Sequence, residues 1–581
     1  MANVFNRVGG LRPKRNAFNL TYSKTLTCDM GQLIPVLCDE VVPGDYLKIG
    51  YELLIRCQPL VAPVMHDVTA TIHTFFVPYR ILWEEWESFI SQGYVDSDGN
   101  YPITMPTFPL PYNSTSPLWD TTYYRDPGTL WDYFGLPVFP RSRNSNTTPG
   151  KPGINARTYP IDMPWRAYWM VYNEYYRDES LQEEVEYNWE PHSNVHQPKM
   201  QYRPANRNWR KDYFTASLLW QQKGTPPALP VNINIGGNLE DLIPLSTKYG
   251  DNVVQDGSGL FINQSVPVAP AGSPWTVSDT NLYNVTGSTR PGPAFFGLTP
   301  DQIANNLDAA TFGVSDLRVA VQLQKWLERN ARAGSDRYTT FLQSHFGVSP
   351  SDARLQRPEY IGGIKMPVLI SELLQTSATD AGTGGSPLGQ MAGHGLGADA
   401  QFAGKYNVQE YGIVIGILSV MPKAVYQDGI NRQWLRRVPM DFYFPEFAHL
   451  SEQAVYQGEL MWQEGHDDRG DDRTFGYIGQ YDEMRVKHDM VCNEMRRNLD
   501  SNESGTSIHN VLNLSYWTMA RKFDWAFADQ LNLNSNFITC QPTKDIFAVQ
   551  DVPGLIVHCK NIIQAIRPLP LIAEPGLVDH F

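Results

Sequence analysis

The chain has 581 residues, enough for several domains or for one β-sandwich with long inserted loops, and 42% hydrophobic and 12% aromatic content gives ample core material. Its net charge of −14 excludes a protein that coats nucleic acid by bulk electrostatics, because neutralising phosphates takes a Lys/Arg excess; any such contact must be local. No apolar run reaches the ~18 residues of a membrane span and the first residues lack a signal-peptide core, so the expectation is a soluble protein made in a cytoplasm.

Residues 1–28 carry Arg7, Arg12, Lys14, Arg15 and Lys24 with no acid, and read as a short basic arm, either solvated or meeting phosphate. Residues 45–57 alternate strictly: Leu47, Ile49, Tyr51, Leu53, Ile55 and Cys57 on one face, Lys48, Glu52 and Arg56 on the other. That is a half-buried strand launched by the Pro43-Gly44 turn. In "DVTATIHTFFVPYRILWEEWESF", Val68, Ala70, Ile72 and Phe76 share a face of a second strand. Pro78 stops it, and Leu82, Trp86, Phe89 and Ile90 then recur at helical spacing.

"PWRAYWMVYNEYYRD" puts Trp165, Tyr168, Trp169, Tyr172 and Tyr176 on one helical stripe. From His192 to Lys211 there is no acid, while Lys199, Arg203, Arg207, Arg210 and Lys211 interleave with Tyr202 and Trp209. Cations that track a backbone beside rings that stack on bases hold single strands without sequence readout. The competing reading is a subunit interface in which these arginines pair with Glu183, Glu184 and Glu186.

Residues 224–310 change character: only Lys248 and Arg290 are basic, and Pro, Gly, Asn, Ser and Thr surround short apolar runs. A structureless loop of that length is implausible, so a β-rich excursion is expected. A helix follows at "SDLRVAVQLQKWLERNARAG", with Ser315 as N-cap, Ala320, Leu323 and Leu327 on one face, and Gly334 as C-terminal cap; a second helical turn runs through Tyr338, Phe341, Leu342 and His345. "GHGLGADAQFAG", residues 393–404, reads as a flexible loop. Residues 412–422 are continuously apolar, as in a strand buried on both faces, and "FGYIGQYDEMRVKH" and "GLIVHCKNIIQAIRPLPLI" are strand-like.

Chemistry finds little purchase. The six cysteines form no CxxC pair and have no ligand-like spacing with His, which argues for buried free thiols and against zinc. His192 and His196 lack a third ligand. Asp467, Asp468, Asp471 and Asp472 offer oxygen for a weak calcium site, but read first as a solvated acidic turn. Aromatic-rich β proteins include lectins and glycosidases, yet no carboxylate pair stands out here, and no nucleophile motif does.

The order of "LIPVLCDEVVPGDYLKI", "FFVPYRILWEEWESF", "WRAYWMVYNEYYRDESLQ", "LQKWLERNARAGSDRYTTFLQSHFGVSPSDARLQRPEYIGG", "GINRQWLRRVPMDFYFPEFAHLSEQAVYQGEL" and "EPGLVDHF" resembles the major capsid proteins of the Microviridae, closest to the gokushovirus branch. The resemblance runs from about residue 10 onward, interrupted mainly at 90–160, 224–310 and 380–400. It implies a mainly β fold, a single eight-stranded antiparallel jelly roll with long inserted loops and a few helices. Sixty copies would close a T=1 icosahedral shell around circular single-stranded DNA. The implied partners are a small basic DNA-binding protein, a minor pilot protein, a scaffolding protein and a host receptor; no cofactor, metal or enzymatic activity is implied. The organisation expected is a basic arm over 1–28, the first jelly-roll part over 29–223, a surface protrusion at the threefold axes over 224–310, and helical loops with the remaining strands over 311–581. Charge and stacking nominate Arg7, Arg12, Lys14, Arg15, Arg203, Trp209, Arg210 and Lys211 for nucleic acid, and Phe76, Trp83 and Trp86 for packing or subunit contact. The alternative is a carbohydrate-binding or glycoside-hydrolysing β-sandwich.

Overall fold

The computed structural model describes residues 14–92, 103–107, 127–138, 160–187, 202–227, 314–333, 337–374, 391–450, 452–462, 473–496, 514–523 and 531–572. It also describes the strands Ser246–Tyr249, Asn252–Gln255, Asp500–Ser501 and Ser507–Ile508. Two compact units emerge, one of Met1–Gln221 with Asn330–Phe581, the other Gln222–Arg329.

The first unit is built on one curled antiparallel sheet. Its strands are β1 (Asn16–Asn19), β2 (Tyr22–Cys28), β3 (Ile34–Val41), β4 (Tyr46–Cys57), β5 (Val68–Pro78), β6 (Glu359–Leu374), β7 (Met391–Asn407), β8 (Gly412–Pro422) and β9 (Leu555–Arg567). The spatial order is β1–β9–β4–β7–β6–β5–β8–β3, with β2 also on β9. Because β1 pairs with residues 564–567 of β9 and β2 with residues 555–561, they lie end to end along one side of it. Nine strands therefore fill eight positions, and the architecture is that of a jelly roll. The curl arises in β6 and β7, which change partners midway. β6 pairs with β5 through Val368 and with β7 from Leu369, while β7 passes from β6 to β4 at Leu396. Strands that switch sheets in this way make the corners of a sandwich.

The two arms enclose the main core. Leu47, Ile49, Tyr51, Leu53 and Ile55 of β4 meet Val68, Ala70, Ile72 and Phe76 of β5, with Val414 and Leu418 of β8 and Val557 and Ile563 of β9. β4 and β9 alternate buried and exposed residues because their other face meets water. β8 is buried throughout, since its second face, through Ile413, Ile415 and Ile417, packs on the aromatic helix. This matches its continuous apolar run. Side chains bridge the edges of the curl: Lys24 Nζ donates to the Pro35 carbonyl (2.9 Å), and Asn561 Nδ2 to that of Val36 (3.0 Å). Both satisfy carbonyls that an edge strand would otherwise leave bare. Of the arm expected over 1–28, residues from Asn16 onward are thus largely strands of the sheet, and Lys24 is committed to its edge; Arg7 and Arg12 lie outside the described residues.

At the corner after Pro78 come α1 (Tyr79–Leu82) and α2 (Trp86–Ser91). Trp86 is buried with its ring centroid 4.7 Å from Tyr79 and 5.9 Å from Tyr411, and the half-buried Trp83 packs tilted against Phe89 at 5.4 Å. The corner locks onto its own sandwich; Ile90, expected on the apolar face, is exposed. Phe76 is a core residue, 5.0 Å from Tyr406. After the short α3 (Leu130–Tyr133), helix α4 (Met163–Val171) continues as a π-turn, Tyr172–Tyr176, and buries all five stripe aromatics.

The glycine-rich stretch read as a flexible loop is β7. The predicted helices are α5 (Val314–Arg332) and α6 (Tyr338–Phe346). Leu327 is buried, but Leu323 is exposed, so the expected core stripe of α5 is incomplete in a single chain. All six cysteines are free thiols, and Cys492 is exposed where burial was expected. Among the described residues no helix is long and apolar enough to cross a membrane, and no group of three His, Cys, Asp or Glu could hold a metal. Asp467 to Asp472, His192 and His196 fall outside the described residues.

Candidate nucleic-acid interface

The basic-aromatic stretch is threaded between two other segments. Arg207 N donates to the Gly31 carbonyl (2.7 Å), Cys540 N to that of Arg207 (2.8 Å), and Trp209 N to that of Ile538 (2.7 Å). In extended backbone, alternate side chains face opposite ways. Arg207 and Trp209 therefore turn inward together. Arg207 Nη1 donates to Thr71 Oγ1 (2.8 Å) and Ser419 Oγ (2.7 Å), and its guanidinium lies over Tyr176. Trp209 is 6% exposed, stacked under Arg521 at 5.3 Å beside Met421 and Cys540. Its nomination as a base-stacking ring is corrected: the core has taken it.

Arg210 and Lys211 emerge at the surface, where Asp212 closes a turn by accepting from the backbone N–H of Phe214 (3.0 Å) and Thr215 (2.8 Å), and from Tyr426 OH (2.7 Å). They border an open groove of about 980 Å³, at the upper end of the about 300–1,000 Å³ usual for ligand clefts. Lys365 and Leu369 of β6 enter it from the outward positions of an alternating strand whose inward positions are Ile364, Met366 and Val368. Met65, Trp517 and Lys423 complete the apolar and cationic lining.

The charges are unequal. Four cations, Arg210, Lys211, Lys365 and Lys423, face two lining carboxylates, Asp67 and Asp212. Lys211 pairs with Asp178 at 2.7 Å and Lys423 with Asp489, whereas among the described residues Arg210 and Lys365 have no ion-pair partner. His66 Nε2 meets the Lys423 carbonyl at 2.7 Å, and burial pulls its pKa below the usual imidazole value, so it stays neutral and structural. Two cations without an ion-pair partner among the described residues thus lie in the same groove as Trp517, Met65 and the 70%-exposed Leu369.

The other nominated residues are elsewhere. Arg203 is exposed outside the groove lining. Lys14 and Arg15 precede β1, and Arg15 lies near Gly44 and Asp45, at the end of the sheet where Arg567 meets Asp45 at 3.2 Å. The register runs from there to the groove along the full length of β4, so the fold does not bring Lys14 and Arg15 to the groove. Lys423 and Trp517 carried no usable signal, being brought beside Arg210 from two distant segments. The outward alternation of Lys365, Pro367 and Leu369 was the one pattern that could have flagged the groove.

Against known proteins, the family described as "Capsid protein (F protein)" matches residues 7–577. The chain belongs to that family: it is a phage capsid protein and a component of the virion, with a structural role that implies self-assembly. Over 99% of its length it is similar to capsid protein VP1 of Chlamydia phage 1 (32% identical, 98% of that protein) and of Bdellovibrio phage phiMH2K (28%, 98%). It is similar over the same share to capsid protein VP1 of Spiroplasma virus 4 (27%, 97% of that protein). The resemblance to the Microviridae and their gokushovirus branch holds.

Proposed function

We propose that sixty copies of this chain close a T=1 shell around a circular single-stranded DNA genome, and that the groove at Arg210, Lys211, Lys365 and Lys423 is an inward contact with that strand. The observation that carries the genome contact is the pair of cations, Arg210 and Lys365, without an ion-pair partner among the described residues, beside exposed apolar side chains in a chain of net charge −14, where a local site must do what bulk charge cannot. Arg7, Arg12, Lys14, Arg15 and Arg203 supply further cations, and a small basic protein neutralises the remaining phosphate. The charge-poor residues 224–310, all within the unit Gln222–Arg329, form the projecting surface that meets the host. The test is particle mass by mass photometry, with and without circular single-stranded DNA. Closed shells near sixty subunits are expected; small oligomers under every condition, co-produced scaffolding protein included, overturn the proposal.

A further inference from the structure

Residues 432–450 invert the usual distribution of side chains. Three short 3-10 turns, Arg432–Trp434, Pro439–Asp441 and Pro445–Phe447, fold the segment. Two of its arginines point inward: Arg432 Nη1 bonds Glu459 (3.0 Å) and the Ala454 carbonyl (2.6 Å), and Arg436 bonds Glu483 (3.0 Å), all four side chains being under one-fifth exposed. Asp441 accepts from the backbone N–H of Arg437 (2.8 Å) and Val438 (3.0 Å), and Tyr481 OH donates to the Phe442 carbonyl (3.2 Å). Its apolar groups point outward instead. Trp434 is 72% exposed, Met440 61%, and Val438, Phe442, Tyr443 and Leu450 about half.

Taking about 150–250 Å² for a large side chain, these six present roughly 600–700 Å². Monomers rarely leave more than about 300–600 Å² of contiguous apolar surface bare. One partner's share of a standard interface is about 800 Å². The stretch is rich in Trp, Tyr, Phe, Met and Arg and contains no Lys, the composition that distinguishes an interface core from ordinary surface. Arg437, Asp441 and Glu446 are its exposed charges and sum to a single negative charge, which disfavours nucleic acid or a strongly charged partner. The buried ion pairs hold it rigid, so little ordering entropy is lost on contact.

We propose that residues 434–450 are a preformed contact face for a second copy of this chain. This rests on the reading that copies assemble, and it names where they meet.

The experiment uses the full chain in two forms. In the first, Trp434→Ser, Met440→Ser and Phe442→Ser are combined. Being exposed, they should leave the melting temperature and single-stranded DNA binding unchanged, while the assembled fraction by sedimentation falls about tenfold or more. In the second, a photo-crosslinking amino acid replaces Met440, and chain-to-chain adducts are expected. Assembly of the triple variant at parental yield, or adducts only with a different protein, overturns the inference while leaving the shell intact as a reading. If the parental chain forms no shell under any condition, the shell reading falls, and presence or absence of the self-adduct still decides this face.

Discussion

Arg166 donates from Nε to Asp162 Oδ2 at 2.9 Å with both side chains almost wholly withdrawn from water, and its Nη1 reaches the carbonyl of Leu82 at 3.3 Å. One buried pair thus ties the first turn of α4 to the corner after β5. Arg166→Met leaves a buried carboxylate without its guanidinium and should cost about 3–5 kcal/mol. Asp162→Asn combined with Arg166→Met should recover part of that loss. Chemical denaturation of the three variants checks both statements, and a single variant within about 1 kcal/mol of the parent contradicts the first.

Gly31 has φ +88°, and a Cβ there would sit 2.2 Å from the Cys540 carbonyl oxygen, inside the strip where Arg207 is threaded. Gly31→Ala combines left-handed strain with a backbone clash and should cost more than about 3 kcal/mol. Gly128 has φ +79° but no described neighbour within 4 Å of the same position, so Gly128→Ala should cost only about 1–2 kcal/mol. Equal melting temperatures for the two variants would remove the clash from the explanation.

Burial, with Arg207 nearby, lowers the pKa of His73 to about 4 while its Nδ1 meets Tyr176 OH at 2.9 Å. The fold binds the neutral ring, so the unfolded chain takes up a proton first as pH falls from the ordinary value of 6.5. The stability so contributed is full above 6.5 and is lost as pH drops through about 4, amounting to at most about 3 kcal/mol. His66 and His488 shift in the same direction. His73→Gln should flatten the acid limb of a melting-temperature profile; parallel profiles for variant and parent would rule the residue out.

Arg210→Ala with Lys365→Ala should weaken single-stranded DNA binding and lower its log–log salt slope by about 1.4, two contacts at about 0.7 each. Trp517→Ala should cost about 1–3 kcal/mol if a base lies on that ring. Trp209→Phe should leave the slope unchanged, because the ring is enclosed under Arg521. Fluorescence anisotropy across a salt series measures all three, and an unchanged slope for the double variant removes the groove from the genome contact.

Legibility in the sequence followed the environment of each strand. β4 and β9 have one wet face and one dry face and showed it as alternation; β8 is dry on both and showed a continuous run. β7 was misread because its glycines look like a loop. They are there because neighbours fill the space: a Cβ on Gly395 would lie 2.4 Å from Cys57 Sγ, and one on Gly404 2.8 Å from the Ile361 carbonyl oxygen. At the groove, Arg210 and Lys211 were found from charge alone, while Trp209 misled because its composition signal is the same whether the ring faces solvent or Cys540. Lys423 and Trp517 were beyond local reading, since only the completed sheet sets them beside Arg210.

The position of β9 between β2 and β4 has a consequence for timing. Leu555 pairs with Cys28 on one side and Cys57 on the other, partners made some five hundred residues earlier. Until that strand arrives, β2 and β4 wait with hydrogen-bonding edges open, and the pairing that joins them has a high contact order, which slows folding. The sandwich therefore cannot close before residues 555–567 have been made, and the two edges stay available to wrong partners until then.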